Sequence, residues 1–424
     1  MLKRKLLGGV LAAAWALGLG LMAAPAARAG ALDSTGDVML QGFHWTSYQT
    51  SPWWWVIQGK ASDIGASGFN MVWLPPSSDA ASNEGYLPRQ LSVLSSKYGT
   101  DTQLRSAIGA LHTYNVKAIG DIVINHRVGT TNWADFTNPT WGSWAVVKGD
   151  EWSGATGAPD TGDGYASARD LDHTNATVQS DIKTWLNSLK STMGYDGWRY
   201  DYVKGYGGTY VGTYNTATVP YFSVGELWTT LDLNNSDAHR QLIMNWIDAT
   251  GGKSAAFDFT TKGLLQQAVQ YNEFWRLKDS AGKPAGAIGW WAAKSVTFVD
   301  NHDTGPSTPA SGSQNLWPFP SDKVMQGYAY ILTHPGVPCV YWVHFYDWGS
   351  SYTTEIKKLI SIRHSKGITS TSAVAIQVAD TSRYAAIITG TSGSVAMKIG
   401  PGDWSPGSGW TLATSGSNYA VWTK

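Results

Sequence analysis

Short apolar runs recur along this chain, each followed by a longer segment with helical spacing. That alternation restricts the possible folds more than any other feature. Val38–His44 (VMLQGFH), Phe69–Leu74 (FNMVWL) and Val116–Ile124 (VKAIGDIVI) read as the first three strands. Between them lie helices over Trp53–Ser67, after Pro52, and over Asp101–Tyr114, where Leu104, Ile108 and Leu111 share a face. Gly197–Gly205 (GWRYDYVKG) supplies a fourth strand, Tyr221–Glu226 a fifth, Ala255–Phe259 a sixth, Ser295–Val299 a seventh and Val337–Trp342 an eighth. Helical spacing covers Thr177–Thr192, Ala238–Ala249, Lys262–Arg276, Ser321–Thr333 and Thr354–His364. Strands alternating with helices predict a parallel sheet, and eight such units close a (β/α)8 TIM barrel.

Two stretches break the pattern. Residues 127–175 are rich in Gly, Asp, Thr and Trp and have no sustained period, which predicts an irregular insertion after strand 3. After Thr369 the texture changes to short alternating segments, such as Tyr384–Ile388 and Val395–Ile399, separated by Gly, Ser and Asn. These predict a small C-terminal antiparallel β domain over residues 368–424. The barrel is then expected over residues 30–126 and 176–367. Residues 1–29 read as a secretory signal peptide: Lys3, Arg4 and Lys5, then the apolar run Leu6–Met22, then Ala27-Arg28-Ala29 at the cleavage position. The expected location is extracellular, with no membrane anchor after cleavage.

The mature chain keeps 27 basic against 31 acidic residues, a balance that argues against nucleic acid as a partner and suits a neutral ligand or a bound cation. Cys339 is the only cysteine, so no intrachain disulfide can form and stability must come from packing and from any bound metal. The chain also carries 23 Trp and 20 Tyr; many belong to a core, and tryptophan at this density also fits a cleft that stacks flat apolar faces such as sugar rings.

In a barrel of this kind the chemistry sits at the C-terminal ends of the strands. Asp121 and Asn125-His126 lie on or after strand 3, Arg199 and Asp201 on strand 4, Glu226 ends strand 5, and Asp300, His302 and Asp303 end strand 7. Asp201, Glu226 and Asp303 therefore come from three strands to one mouth. Carboxylates beside an aromatic cleft suit cleavage of a glycosidic bond, with one acid protonated and another ionised. Glu226 has the more apolar sequence setting (VGELW), which raises its pKa and fits a general acid. Arg199 favours the charged form of Asp201, as a nucleophile requires. The same residues admit plainer readings: a buried Arg199–Asp201 pair that fixes register, Asp303 as a turn cap, Asp300 as part of the scaffold. Retention of configuration requires the nucleophile and the acid to stand roughly 5–5.5 Å apart.

DIVINH (Asp121–His126), GWRYDYVKG, GELW (Gly225–Trp228) and FVDNHD (Phe298–Asp303) resemble, in order and spacing, the four sequence regions of the α-amylases of glycoside hydrolase family 13. QGFHW near Gln41 and EGYLP near Glu84 are similar to plant-type and maltooligosaccharide-forming bacterial amylases. The resemblance implies hydrolysis of α-1,4-glucosidic bonds in starch and maltooligosaccharides with retention. It implies Asp201 as nucleophile, Glu226 as general acid/base and Asp303 as transition-state stabiliser. Arg199 matches the arginine that positions the nucleophile, His126 and His302 the histidines that bond the sugar at the scissile position, Tyr86 the tyrosine stacked on it, and Lys204 a contact on the leaving-group side.

The resemblance also implies a calcium site made by Asn125, Asp160, Asp163, Asp170 and the main-chain carbonyl of Gly205. DTGD and RDLD in a loop that needs ordering supply the hard oxygen donors such an ion prefers. Asp172 is a sixth candidate, with a surface or capping role as the other reading. One departure stands out: relatives that release maltotetraose from chain ends carry an acid two positions before the last calcium aspartate, where this chain has Ala168. Endo action is therefore expected, with exo-acting maltooligosaccharide release, glucan transglycosylation and non-catalytic glucan binding as alternatives. The chain is expected to act as a monomer.

Overall fold

A computed structural model describes residues 34–130 and 133–424. The signal segment expected over residues 1–29 lies outside the described residues. Among the described residues no helix is long and apolar enough to cross a membrane.

Eight parallel strands form the barrel: β1 Met39–Gln41, β2 Met71–Leu74, β3 Lys117–Ile122, β4 Gly197–Tyr200, β5 Ser223–Gly225, β6 Ala255–Phe257, β7 Ser295–Phe298 and β8 Val337–Tyr341. Each pairs with its sequence neighbours, and β1 pairs with both β2 and β8, so the sheet closes on itself. The strands are buried on both faces, which is why they read as continuous apolar runs rather than as alternation. The register sets Asp121 of β3 beside Arg199 of β4, and Tyr200 of β4 beside Gly225 of β5. Three of the motif segments are thereby fixed side by side at one rim.

The outer helices are α1 Trp53–Ala66, α2 Asp101–Thr113, α3 Ala176–Ser188, α4 Gly208–Thr218, α5 Ser236–Ala249, α6 Phe259–Tyr271, α7 Val324–Thr333 and α8 Ser350–Ser365. Their starts are chemically marked. Thr100 and Gln103 form a reciprocal capping box on α2, Asn175 caps α3, and the buried Asp258 caps α6 while also accepting from the Ala287 and Ile288 amides.

The architecture agrees with the sequence expectation, but several elements differ. Strand 4 ends at Tyr200, not Gly205, because Tyr202 adopts a left-handed conformation (φ 45°, ψ 47°) and Val203–Gly205 forms a 3-10 turn. Helix α4 was not expected: its sequence, GTYVGTYNTAT, is rich in Gly and Thr and has no clear apolar stripe. The helix expected to begin at Lys262 begins at Phe259 behind the Asp258 cap, and ends at Tyr271, where Asn272 takes a left-handed conformation.

Two small ribbons tie the loops to the rim. Asp79–Ala80 pairs with Pro88–Gln90 and brings Tyr86 over the barrel mouth; His126–Arg127 pairs with Arg169–Asp170 and closes the long loop that follows β3. Beyond the barrel, β9 Ala373–Ala379, β10 Tyr384–Gly390, β11 Gly393–Ile399, β12 Thr411–Gly416 and β13 Tyr419–Thr423 form an antiparallel sheet in the order β9-β10-β11-β13-β12. It packs on the last two helices of the barrel. Tyr384 Oη lies 2.9 Å from His334 Nε2, the Gly400 amide donates to Gln326 Oε1, and Thr414 and Tyr419 donate to Glu355.

Gly197 opens β4 where the chain passes close to both neighbouring strands. A methyl group there would lie 2.3 Å from the Phe222 carbonyl oxygen and 2.9 Å from Ile119 Cδ1. Gly197→Ala is expected to destabilise the protein by about 1–3 kcal/mol. Chemical denaturation measures this as a lower midpoint at unchanged slope; an unchanged midpoint contradicts the close approach.

Candidate active site

Arg199 organises the mouth. Its side chain is fully buried among acids supplied by three strands. Nη1 donates to Asp121 Oδ1 and to Asp201 Oδ1, both at 2.8 Å. Nη2 lies 2.9 Å from Glu226 Oε2, an ion-pair contact whose angle does not meet hydrogen-bond geometry. The face of the guanidinium lies over Trp73, 4.8 Å from the ring centre. Asp121 is held further by Trp73 Nε1 at 3.0 Å and Tyr86 Oη at 2.8 Å. One planar cation thus touches Asp201 and Glu226 at once, so the two carboxyl groups face the same small space.

The backbone fixes both acids as firmly as the ion pairs do. The Asp201 amide donates to the Ile122 carbonyl and the Glu226 amide to the Tyr200 carbonyl, each at 3.0 Å. The left-handed turn at Tyr202 then sends its own amide back to Glu226 Oε2 at 3.2 Å. A non-glycine residue in that conformation carries strain of order 1–3 kcal/mol, and such strain gathers where side chains must be aimed. Asp303 follows β7, with its amide on Asn301 Oδ1 and its carboxyl facing Glu226.

One arginine faces several acids in a poorly solvated space, and burial works against their charged forms. Burial raises Asp201 well above the usual carboxylate range, against the opposing pull of Arg199, and the neighbouring acids raise it further. Asp303 is raised well above that range by burial and by the facing Glu226 carboxyl. Asp121 is raised by burial, offset in part by Arg199. These groups titrate together. The expectation that Arg199 holds Asp201 to an ordinary charged form is corrected: burial outweighs the arginine there, and the same guanidinium also contacts Glu226.

The two histidines are neutral. Burial pushes His126 down to about 4, and burial together with Arg199 pushes His302 well below its usual value. His126 Nε2 donates to the Tyr86 carbonyl at 2.8 Å, leaving Nδ1 as acceptor for the Asn125 amide at 3.2 Å. Gln41 Nε2 donates to His302 Nδ1 at 2.9 Å, which leaves Nε2–H directed toward Asp303 Oδ2, 3.4 Å away.

Asp201, Glu226, Asp303, Tyr86, His126 and His302 line a cleft of roughly 430 Å³ together with Lys204, Trp45, Tyr165, Trp228 and Gln314. Trp45, Tyr86 and His302 lie nearly parallel to one another, and Tyr165 stacks on His126 at 4.0 Å between ring centres. Acids on one side of flat aromatic surfaces suit a neutral polyhydroxylated ring. Sequence reasoning gave no role to Trp45, Tyr165 or Gln314. Trp45 closes the QGFHW motif and was within reach of it, whereas Tyr165 and Gln314 come from loops with no periodic signal.

The residues expected around calcium also gather in one place. Asn125 Oδ1 is buried without a hydrogen-bond partner, while its Nδ2 donates to Asp170 Oδ1 at 3.0 Å. Asp170 is pushed up to about 7 by burial, offset by the Tyr165 amide and raised again by Asp160, Asp150 and Glu151. The Asp163 amide donates to the Lys204 carbonyl, next to Gly205, and Gly162 packs so tightly there that a methyl group would lie 2.4 Å from that carbonyl oxygen. The site is not a cage of acids, since among the described residues no three His, Cys, Asp or Glu side chains form a metal-binding group. An orphaned amide oxygen, crowded carboxyl groups and nearby main-chain carbonyls are nonetheless the oxygen donors a hard cation takes. Asp172 is buried rather than superficial; it accepts from the Ala158 and Thr174 amides, as a capping residue does.

Comparison with known proteins agrees with this geometry. Residues 60–219 match the family described as alpha amylase, catalytic domain, and residues 365–423 match the alpha-amylase C-terminal beta-sheet domain. The chain is 48% identical over 402 residues to probable alpha-amylase 2 of Arabidopsis thaliana, covering 92% of this chain and 94% of that protein. It is 32% identical over 378 residues to the glucan 1,4-alpha-maltotetraohydrolase of Roseateles saccharophilus, covering 84% of this chain and 66% of that one. Among solved structures, CldA, a cyclomaltodextrin glucanotransferase with a three-domain distribution, superposes with a TM-score of 0.69 over 91% of this chain and 99% of its own. Its identity of 17% bears on the fold alone. Close identity along almost the full length of the Arabidopsis protein, joined to both domain matches, shows that this chain belongs to the alpha-amylase family.

Proposed function

We propose that the chain is a secreted, calcium-dependent endo-acting hydrolase of internal α-1,4-glucosidic bonds in starch, working with retention of configuration. The observation that carries this reading is the single guanidinium of Arg199 holding Asp201 and Glu226 side by side, with Asp303 opposite Glu226. Glu226 gives its proton to the glycosidic oxygen as the bond to the anomeric carbon breaks. Asp201 forms an ester to that carbon. A water then loses its proton to Glu226, attacks the same carbon and releases Asp201. Asp303 and the neutral His302 Nε2–H face the ring in which positive charge develops. Tyr86 and Trp45 offer the aromatic walls, and Lys204 lies toward the leaving-group side.

Glu226→Gln keeps the shape and removes the proton. Activity on soluble starch is expected to fall by at least about 10²-fold, the lower end of what general acid catalysis contributes. A variant within tenfold of the parent defeats the assignment.

Endo action is supported by Ala168, which is small and buried beside the cleft loop and offers no charge to grip a chain end. The identity to a maltotetraohydrolase favours a second reading, exo release of a fixed product. Early products from amylose, separated by chromatography, are expected to spread over many lengths. A single short product from the first minutes onward establishes the exo reading instead.

Calcium is assigned to Asn125, Asp160, Asp163, Asp170 and the Gly205 carbonyl, and rests on the orphaned Asn125 Oδ1 beside the crowded Asp170. A cation held by these residues, which come from the loop after β3 and the turn following Asp201, would supply positive charge to the crowded carboxyl groups. Exhaustive chelation is expected to lower the melting temperature, and added calcium to restore it, because a ligand of the folded state stabilises by mass action. A melting temperature that does not respond to either treatment removes the site.

A further inference from the structure

Behind the catalytic acids lies a second buried charge pair that the reaction itself does not use. Lys262, on α6, and Asp300, just past β7, both have fully buried side chains and meet at 3.0 Å. A buried pair of this kind is costly to form and is often replaceable by apolar residues without loss of stability. Its contacts point to a different purpose.

Lys262 Nζ donates to Asp300 Oδ1, to the Trp317 carbonyl at 3.0 Å and to Gln266 Oε1, so all three of its protons are engaged. Asp300 accepts from Thr304 Oγ1 at 2.9 Å and from the Phe319 amide at 3.1 Å. Gln266 Nε2 donates to the Pro318 carbonyl. Thr304 begins, and residues 317–319 end, the loop that crosses the rim after β7. The pair therefore grips both stems of one loop. The stems are also joined directly: the Leu316 amide donates to the Asp303 carbonyl at 2.9 Å and the Trp317 amide to the Thr304 carbonyl at 3.1 Å. Any shift of the outgoing stem is passed to the Asp303 backbone through these two bonds. Gln314, two residues before Leu316, lines the cleft from the same loop.

His344, which faces Asp300, does not substitute for the lysine. His344 Nε2 is 3.6 Å from Asp300 Oδ2, and burial pushes His344 down to about 4, so it is neutral at neutral pH. Its Nδ1 faces Tyr328 Oη at 2.8 Å.

We propose that the Lys262–Asp300 pair is a positioning clamp that holds Asp303 and the Gln314 loop in register with Glu226 and Asp201. This rests on the reading of Asp303 as transition-state stabiliser given above. Neither clamp residue touches substrate. Its contribution is to keep a carboxyl group from drifting, and a displacement of about 1 Å at such a group can cost on the order of 10²-fold in rate.

The test compares Lys262→Met and the double variant Lys262→Met/Asp300→Asn with the full mature parent, using a short chromogenic maltooligosaccharide. Lys262→Met leaves a lone buried carboxylate and is expected to melt earlier; the double variant is expected to regain much of that loss. In both folded proteins kcat is expected to fall at least tenfold while KM stays within threefold, and acarbose affinity is expected to fall alongside kcat, as removal of transition-state stabilisation requires. Should Lys262→Met not fold, the double variant, which buries no lone charge, carries the comparison. A kcat within twofold of the parent in a folded variant, or kcat restored together with melting temperature in the double variant, makes the pair a stability element and overturns the proposal. The underlying functional reading fails by a different result, namely an active Glu226→Gln.

Discussion

The mouth of this barrel depends on one planar cation surrounded by acids. Arg199 is fully buried, and its opposing influences are burial, which disfavours its charge, and Asp121, Glu226 and Asp201, which hold it charged at any ordinary pH. Without that guanidinium the acids would repel one another in a medium that screens poorly. With it, Asp121 and Asp201 share one nitrogen of the guanidinium and Glu226 meets the other, so the three acids stand around a single charge. The barrel register makes the arrangement possible by setting Asp121 and Arg199 on adjacent strands at the same level.

A second layer stiffens the first. Gln41 and Asn125 donate to the cleft histidines, Tyr86 stacks on His302, and Trp73 meets His302 edge-on while bonding Asp121, and each comes from a different segment. The neutral histidines belong to this layer in one respect: their ring nitrogens are already committed to partners, which fixes the tautomer of both. Lys262 and Asp300 form a comparable support on the far side, beneath Asp303. The rim is thus a set of loops braced from below by buried polar contacts rather than a row of independent side chains.

Much of this was legible in the sequence, for physical reasons. Strands buried on both faces leave continuous apolar runs, so all eight could be read, and an acid directly after such a run has few explanations other than a rim position. Asp201, Glu226 and Asp303 were found that way and do converge. The contacts of Arg199 with Asp121 and Glu226 were not legible, because they depend on register between strands far apart in sequence. Nor was α4, whose Gly and Thr content hides its helical period, or the left-handed turn at Tyr202, which ended an apparently regular strand early. The unequal surroundings expected for Glu226 and Asp201 were a local reading of neighbours in sequence, whereas burial and the shared arginine act through space. Tyr165 and Gln314 sit on aperiodic loops that only the folded chain brings to the cleft.

The turn at Tyr202 has a consequence for how this rim tolerates change. Because the chain reverses handedness directly after Asp201, and its next amide returns to Glu226, the two acids are coupled through main chain as well as through side chains. Altering the identity of residue 202 therefore bears on the direction in which the strand is released, and through it on the spacing of groups that residue 202 does not itself supply. Tyr165 leans on the same turn, its ring centre 5.1 Å from that of Tyr202, so a change at residue 202 also reaches the aromatic surface of the neighbouring loop.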